Sequence, residues 1–143
     1  MNAYADSSFL LSLYSVDVHS QAAAALVGRH QPVFYLTPFS EAEFINAVEL
    51  GVFVKRYTER EARAVRDYFL SHLRAGVFRP CDLPSGACAL ARTLSRRHTA
   101  RLGTRTLDVL HVASALILKA DAFFTFDQRR RRLARAEGLR ALP

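Results

Sequence analysis

The chain has 143 residues, half of them hydrophobic, which suits one folded domain spanning 1–143 and excludes a disordered or low-complexity chain. Its longest apolar run, Val112 to Leu118, contains Ser114 and is too short for a membrane span, and Asp6 stands where a signal peptide would carry basic charge, so a cytoplasmic protein is expected. Twenty Lys plus Arg against thirteen Asp plus Glu give a net charge of +7, which favours a polyanion such as nucleic acid, although a GC-rich genome would also enrich arginine.

Asn2 to Asp6 reads as a short strand ending at a carboxylate, and Ser7 to Leu13 as a helix. A second helix is expected from Asp17 or His19 to Arg29. Pro32 to Leu36 is β-branched and aromatic without alternation, the pattern of a buried strand. Ser40 then suits a helix N-cap with Glu43 three residues on, and Gly51 a stop. Thr58-Glu-Arg-Glu61 is a capping box that opens a helix to about Ala75. Val77 to Cys81 is a strand, placed at an edge by Pro80, and Pro84 to His98 is helical.

Thr99 to Arg105 reads as a basic loop. Thr106 opens an apolar helix to Leu118, Ala122 to Thr125 is a fourth strand, and Gln128 to Glu137 is a basic helix stopped by Gly138. Leu139 to Leu142 suits a fifth strand. The alternation of strand and helix predicts an α/β sandwich around a mainly parallel sheet. Cys81 and Cys88 are seven apart, a spacing of neither a redox pair nor a zinc knuckle, and read as reduced thiols.

Four acids fall at strand ends or helix starts: Asp6, Glu43, Asp108 and Asp127. In a parallel sheet these positions share one edge. Clustered carboxylates need a positive neutraliser, and hard oxygen ligands suit Mg2+ or Mn2+, which can activate water for phosphoryl displacement. Each acid also has a plain structural role open to it. Glu43 could complete the capping box, Asp108 could pair with Arg105, and Asp6 and Asp127 could be N-caps. A dehalogenase-type phosphatase would need a second Asp at Ser8, and no Gly-rich phosphate loop is present.

The segments Tyr4-Ala-Asp6-Ser-Ser8, Ser40-Glu-Ala-Glu43-Phe-Ile-Asn-Ala47, Thr106-Leu-Asp108-Val-Leu-His111-Val-Ala-Ser-Ala115 and Phe124-Thr125-Phe-Asp127 together resemble the PIN-domain ribonucleases, specifically VapC-like toxins of toxin–antitoxin pairs. The resemblance implies a three-layer α/β/α sandwich with four to five strands, and Mg2+- or Mn2+-dependent RNA hydrolysis. It carries Asp6, Glu43, Asp108 and Asp127 over as metal-binding catalytic acids, with Asp6 and Asp108 the firmest matches. Ser7 and Thr125 match hydroxyl positions that support the site. Glu43 is preferred to Glu41, and Asp127 to Asp121. His111, one turn beyond Asp108, reads as packed under the site rather than as a general base.

The expected partners are RNA, a small VapB-like antitoxin and a second copy of the chain, the last with a contribution from the helical pair that runs from Phe44 to Phe69. Arg101, Arg105 and the run Arg129 to Arg132 are tethered to active-site acids. Arg101, Arg105, Arg129 and Arg130 are the candidate RNA contacts. The alternatives are a PIN-like binding module that does not cut, and a housekeeping nuclease without an antitoxin.

Overall fold

The computed structural model describes residues 1–143. Its sheet has five strands: β1 (Asn2–Ala5), β2 (Val33–Leu36), β3 (Arg79–Pro80), β4 (Ala122–Phe124) and β5 (Ala141–Leu142). All neighbours pair in parallel, in the order β3-β2-β1-β4-β5. Ala3 of β1 lies opposite Phe34 on one side and Ala122 on the other. The chain winds outward from β1 in both directions, so the crevice at the carboxyl end of β1 is the switch point where such sheets place their sites.

Strand alternation divides the core. Ala3, Ala5 and Phe124 face a cluster with Phe9, Leu10, Phe44 and Phe69, supplied by α1 (Ser7–Tyr14), α2 (Ser20–His30), α3 (Pro38–Phe53) and α4 (Glu59–Arg74). Tyr4 and Phe123 face the other way, toward Leu94, Val109, Val112 and Leu133. That layer comes from α5 (Ala87–Leu94), α6 (Ala100–Leu102), α7 (Thr106–Ile117) and α8 (Gln128–Ala136). The three-layer α/β/α expectation holds. No helix is long and apolar enough to cross a membrane.

Several local expectations need correction. The N-cap of α3 is Thr37, whose hydroxyl accepts from the Ser40 N–H, with Pro38 in the first turn. Glu43 is therefore past the capping position. α3 also continues through Gly51 to Phe53, because Gly51 is a close-approach site: a Cβ there would collide with the ring of Tyr57. The predicted basic loop is largely helical, since α5 runs through a π-type turn at Ser95–Thr99 into α6. Phe44 and Phe69 are fully buried with rings 4.3 Å apart, so they bind α3 to α4 from within. The apolar side chains exposed on that pair are Leu50, Phe53, Val54 at its tip, and Tyr68.

Candidate active site

Asp6 directly follows β1 and is fully buried. It is the N-cap of α1, accepting from the Phe9 N–H at 3.0 Å. The Ser8 hydroxyl donates to its Oδ1 at 2.6 Å and the Thr125 hydroxyl to its Oδ2 at 2.5 Å. Thr125 follows β4, so adjacent parallel strands bring the two residues together. Asp108 lies in the first turn of α7, where its Oδ2 accepts from the Arg105 N–H at 2.8 Å. Glu43 reaches the same crevice from the second turn of α3. The Ser7 hydroxyl and His111 Nε2 each lie 2.5 Å from its Oε2.

The cation that joins these three acids is Arg130. Its Nε donates to Asp108 Oδ1 at 2.8 Å, its Nη2 to Glu43 Oε1 at 2.7 Å, and its Nη1 lies 3.3 Å from Asp6 Oδ2. Only 7% of Arg130 is exposed. Burial alone would lower its pKa, but Asp6, Glu43 and Asp108 outweigh that and hold it above the ordinary arginine value. Burial would likewise raise the Glu43 carboxyl, yet the bonds and charges of His111 and Arg130 hold it well below the usual carboxylate range.

Arg130 was expected as a contact to RNA phosphate. It points inward because it shares a face with Leu133 and Ala134, three and four residues on, both fully buried. That spacing was the available signal, hidden by the four consecutive arginines. Arg129 is exposed, as are Arg101 on α6 and Arg105 before α7.

His111 is fully buried beneath the acids. Its Nδ1 lies 3.0 Å from the Tyr4 hydroxyl, which also contacts Ser40 at 3.0 Å. Tyr4, His111 and Glu43 thus form a hydrogen-bonded chain that fixes the Glu43 carboxylate. Sequence reading missed Tyr4 and Ser8. Tyr4 is two residues before Asp6 on one strand face, so the period-two rule could have found it.

Asp127 is set apart from the other three acids. It caps α8, its Oδ1 accepting from the N–H groups of Arg129 and Arg130, and no ion pair or hydrogen bond links its carboxylate to theirs. It therefore fixes the start of the helix that carries Arg130. Asp121, its sequence competitor, lies at the opposite end of the sheet, accepting from the Asn2 N–H.

The donors Asp6, Glu43 and Asp108 fit a hard divalent cation in kind, being carboxylate oxygens on three separate elements. As they stand they are arranged around a guanidinium, and no three side chains are disposed to hold one ion. Asp6 and Asp108 each turn one oxygen to Arg130, and Glu43 turns both.

Comparison with known proteins agrees with the fold. Among curated protein sequences nothing matches the chain. The fold is similar to that of VapC20 of Mycobacterium tuberculosis, described as a sarcin-ricin loop cleaving toxin, at 20% identity and TM-score 0.69, covering 96% of this chain and 95% of that one. It is also similar to VapBC2 of Rickettsia felis, solved with a fragment of promoter DNA, at 14% identity and TM-score 0.65, covering 99% and 98%. The Pyrobaculum aerophilum protein PAE2754 matches at 16% identity and TM-score 0.61, covering 99% and 83%. A family model for the PIN domain matches residues 3–136, nearly the whole chain. The chain belongs to the PIN-domain family.

Proposed function

We propose that the chain is an endoribonuclease that works with Mg2+ or Mn2+ as the toxin of a VapBC-like pair. The observation that carries this is the convergence of Asp6, Glu43 and Asp108 at the switch point of a PIN domain. Similarity to VapC20 and VapBC2 supports the toxin reading and an antitoxin partner. In this reading Asp6, Asp108 and Glu43 hold the ion, whose chemistry is Lewis-acid activation of water toward a phosphodiester.

The remaining work falls to the chain's own residues. Ser8, Thr125 and the Phe9 N–H fix both oxygens of Asp6. Ser7 and the Tyr4–His111 chain fix Glu43. His111 has its ring nitrogens engaged by Tyr4 and Glu43 and acts as a positioning residue. Exposed Arg105 and Arg129 adjoin the helix starts at Asp108 and Asp127 and supply attraction for a phosphate chain that the acids would repel.

One observation favours a second reading. Arg130 already pairs with all three acids, as expected of a PIN-like module that binds without cutting. RNA incubated with Mn2+ or with a chelator separates the two. A nuclease cleaves only with the ion, and Asp108→Asn loses at least roughly a hundredfold in rate. Intact RNA under all conditions would leave the binding module.

A further inference from the structure

We infer that Arg130 and a divalent cation are alternative occupants of the same carboxylates, so that the arginine is an intramolecular latch on the acidic site. The inference rests on the metal-dependent reading above and deepens it.

The acceptor inventory supports competition rather than coexistence. Asp6 Oδ1 takes two donors, from Ser8 and Phe9, and has no lone pair to spare. Its Oδ2 is shared between Thr125 and Arg130. Glu43 Oε2 is crowded by Ser7, His111 and Arg130 Nη1, whereas its Oε1 faces Arg130 alone. Asp108 Oδ2 takes the Arg105 N–H, and its Oδ1 faces Arg130 alone. Withdrawal of the guanidinium would thus free Glu43 Oε1, Asp108 Oδ1 and one lone pair of Asp6 Oδ2, and those three oxygens face the space it now fills. A divalent ion placed beside an unmoved guanidinium would instead meet a like charge in a buried site.

The latch explains how the acids tolerate burial together without a metal. Three carboxylates against one guanidinium leave two negative charges in excess, and a divalent ion in the arginine's place would leave one. Release needs no rearrangement of the core. Asp127 holds the first turn of α8 through backbone N–H groups, and Leu133 and Ala134 anchor its inner face, so the arginine side chain can swing while the helix stays.

The test is Mn2+ titration by calorimetry on the parent, Arg130→Met and Arg132→Met, the last removing the same charge from an exposed position. Competition predicts that Arg130→Met binds Mn2+ roughly tenfold or more tightly than the parent, with Arg132→Met close to the parent. Equal or weaker binding by Arg130→Met would overturn the latch and leave the metal reading standing. No Mn2+ binding by any of the three would overturn both. Should Arg130→Met fail to fold without metal, millimolar Mn2+ should restore its cooperative melting while NaCl of equal ionic strength should not. Failure of that rescue would also overturn the latch. In the parent, Mg2+ should abolish the protected Nε–H resonance of Arg130, and its persistence at saturating Mg2+ would contradict competition.

Discussion

The two ends of α8 carry opposite kinds of ionic cluster. At the N-terminal end one arginine is buried among three carboxylates. Just past the C-terminal end one carboxylate, Glu137, sits among basic groups, 2.5 Å from His98 and 2.9 Å from the exposed Arg97. The first cluster is negative in excess, buried and fed by four elements. The second joins α8 to the π-type turn through one exposed cation, Arg97, and the buried ring of His98. Buried charges are strongly interdependent, because removal of one strands the others, whereas exposed pairs are screened and worth little. The same helix therefore has a site at one end and a surface tether at the other.

The comparison is broken most severely at Arg130. Arg130→Met should cost about 3–5 kcal/mol in metal-free urea unfolding, because three buried carboxylates lose their cation. A loss below about 1 kcal/mol would mean that the acids neutralise themselves by taking up protons.

Next comes His111. Its ring bridges Tyr4 and Glu43 and packs 4.6 Å from the Phe39 ring. His111→Gln should cost about 1–3 kcal/mol by the same measurement, with a smaller loss of RNA cleavage than Asp108→Asn. A cleavage loss as large as that of Asp108→Asn in a folded protein would give His111 a chemical role.

The smallest effect belongs to Glu137. Burial would raise its pKa, but hydrogen bonds from His98 and Arg97 hold it below the ordinary value. A carboxyl lowered on folding adds stability above its unfolded pKa of about 4.3, and that stability is lost as pH falls through the folded value. Glu137→Gln should therefore cost less than about 1 kcal/mol at pH 7, and the difference from the parent should vanish in acid, as read by unfolding across pH. A difference that persists at pH 2 would assign the effect to packing.

The contrast also marks what was legible in the sequence. Asp6 and Asp108 could be placed because a strand end and a helix first turn are local features, and parallel topology carries them to one edge. Glu43 was counted among the acids at helix starts and matched by the resemblance, while its local assignment as a capping residue was wrong. The Thr-Pro pair at residues 37 and 38 opens α3 three residues before the expected cap, which moves Glu43 from a capping role to a reach into the crevice. Arg130 was named but turned the wrong way. Four arginines in succession show no polarity contrast, and the phase of α8 is set by Asp127 and by the burial of Leu133 and Ala134, a tertiary fact. Because Arg130 Nε donates to Asp108, Asp108→Asn removes an attraction in the metal-free fold.

The most direct test of this account is a double-mutant cycle between Arg130 and Asp108, using Arg130→Met, Asp108→Asn and the double variant in metal-free urea unfolding. A coupling of about 2 kcal/mol or more is expected, because each substitution strands the charge that the other removes. The same cycle at Arg97 and Glu137 should give less than about 1 kcal/mol. Equal couplings at the two ends of α8, or none between Arg130 and Asp108, would contradict the claim that one buried arginine holds the acidic site together.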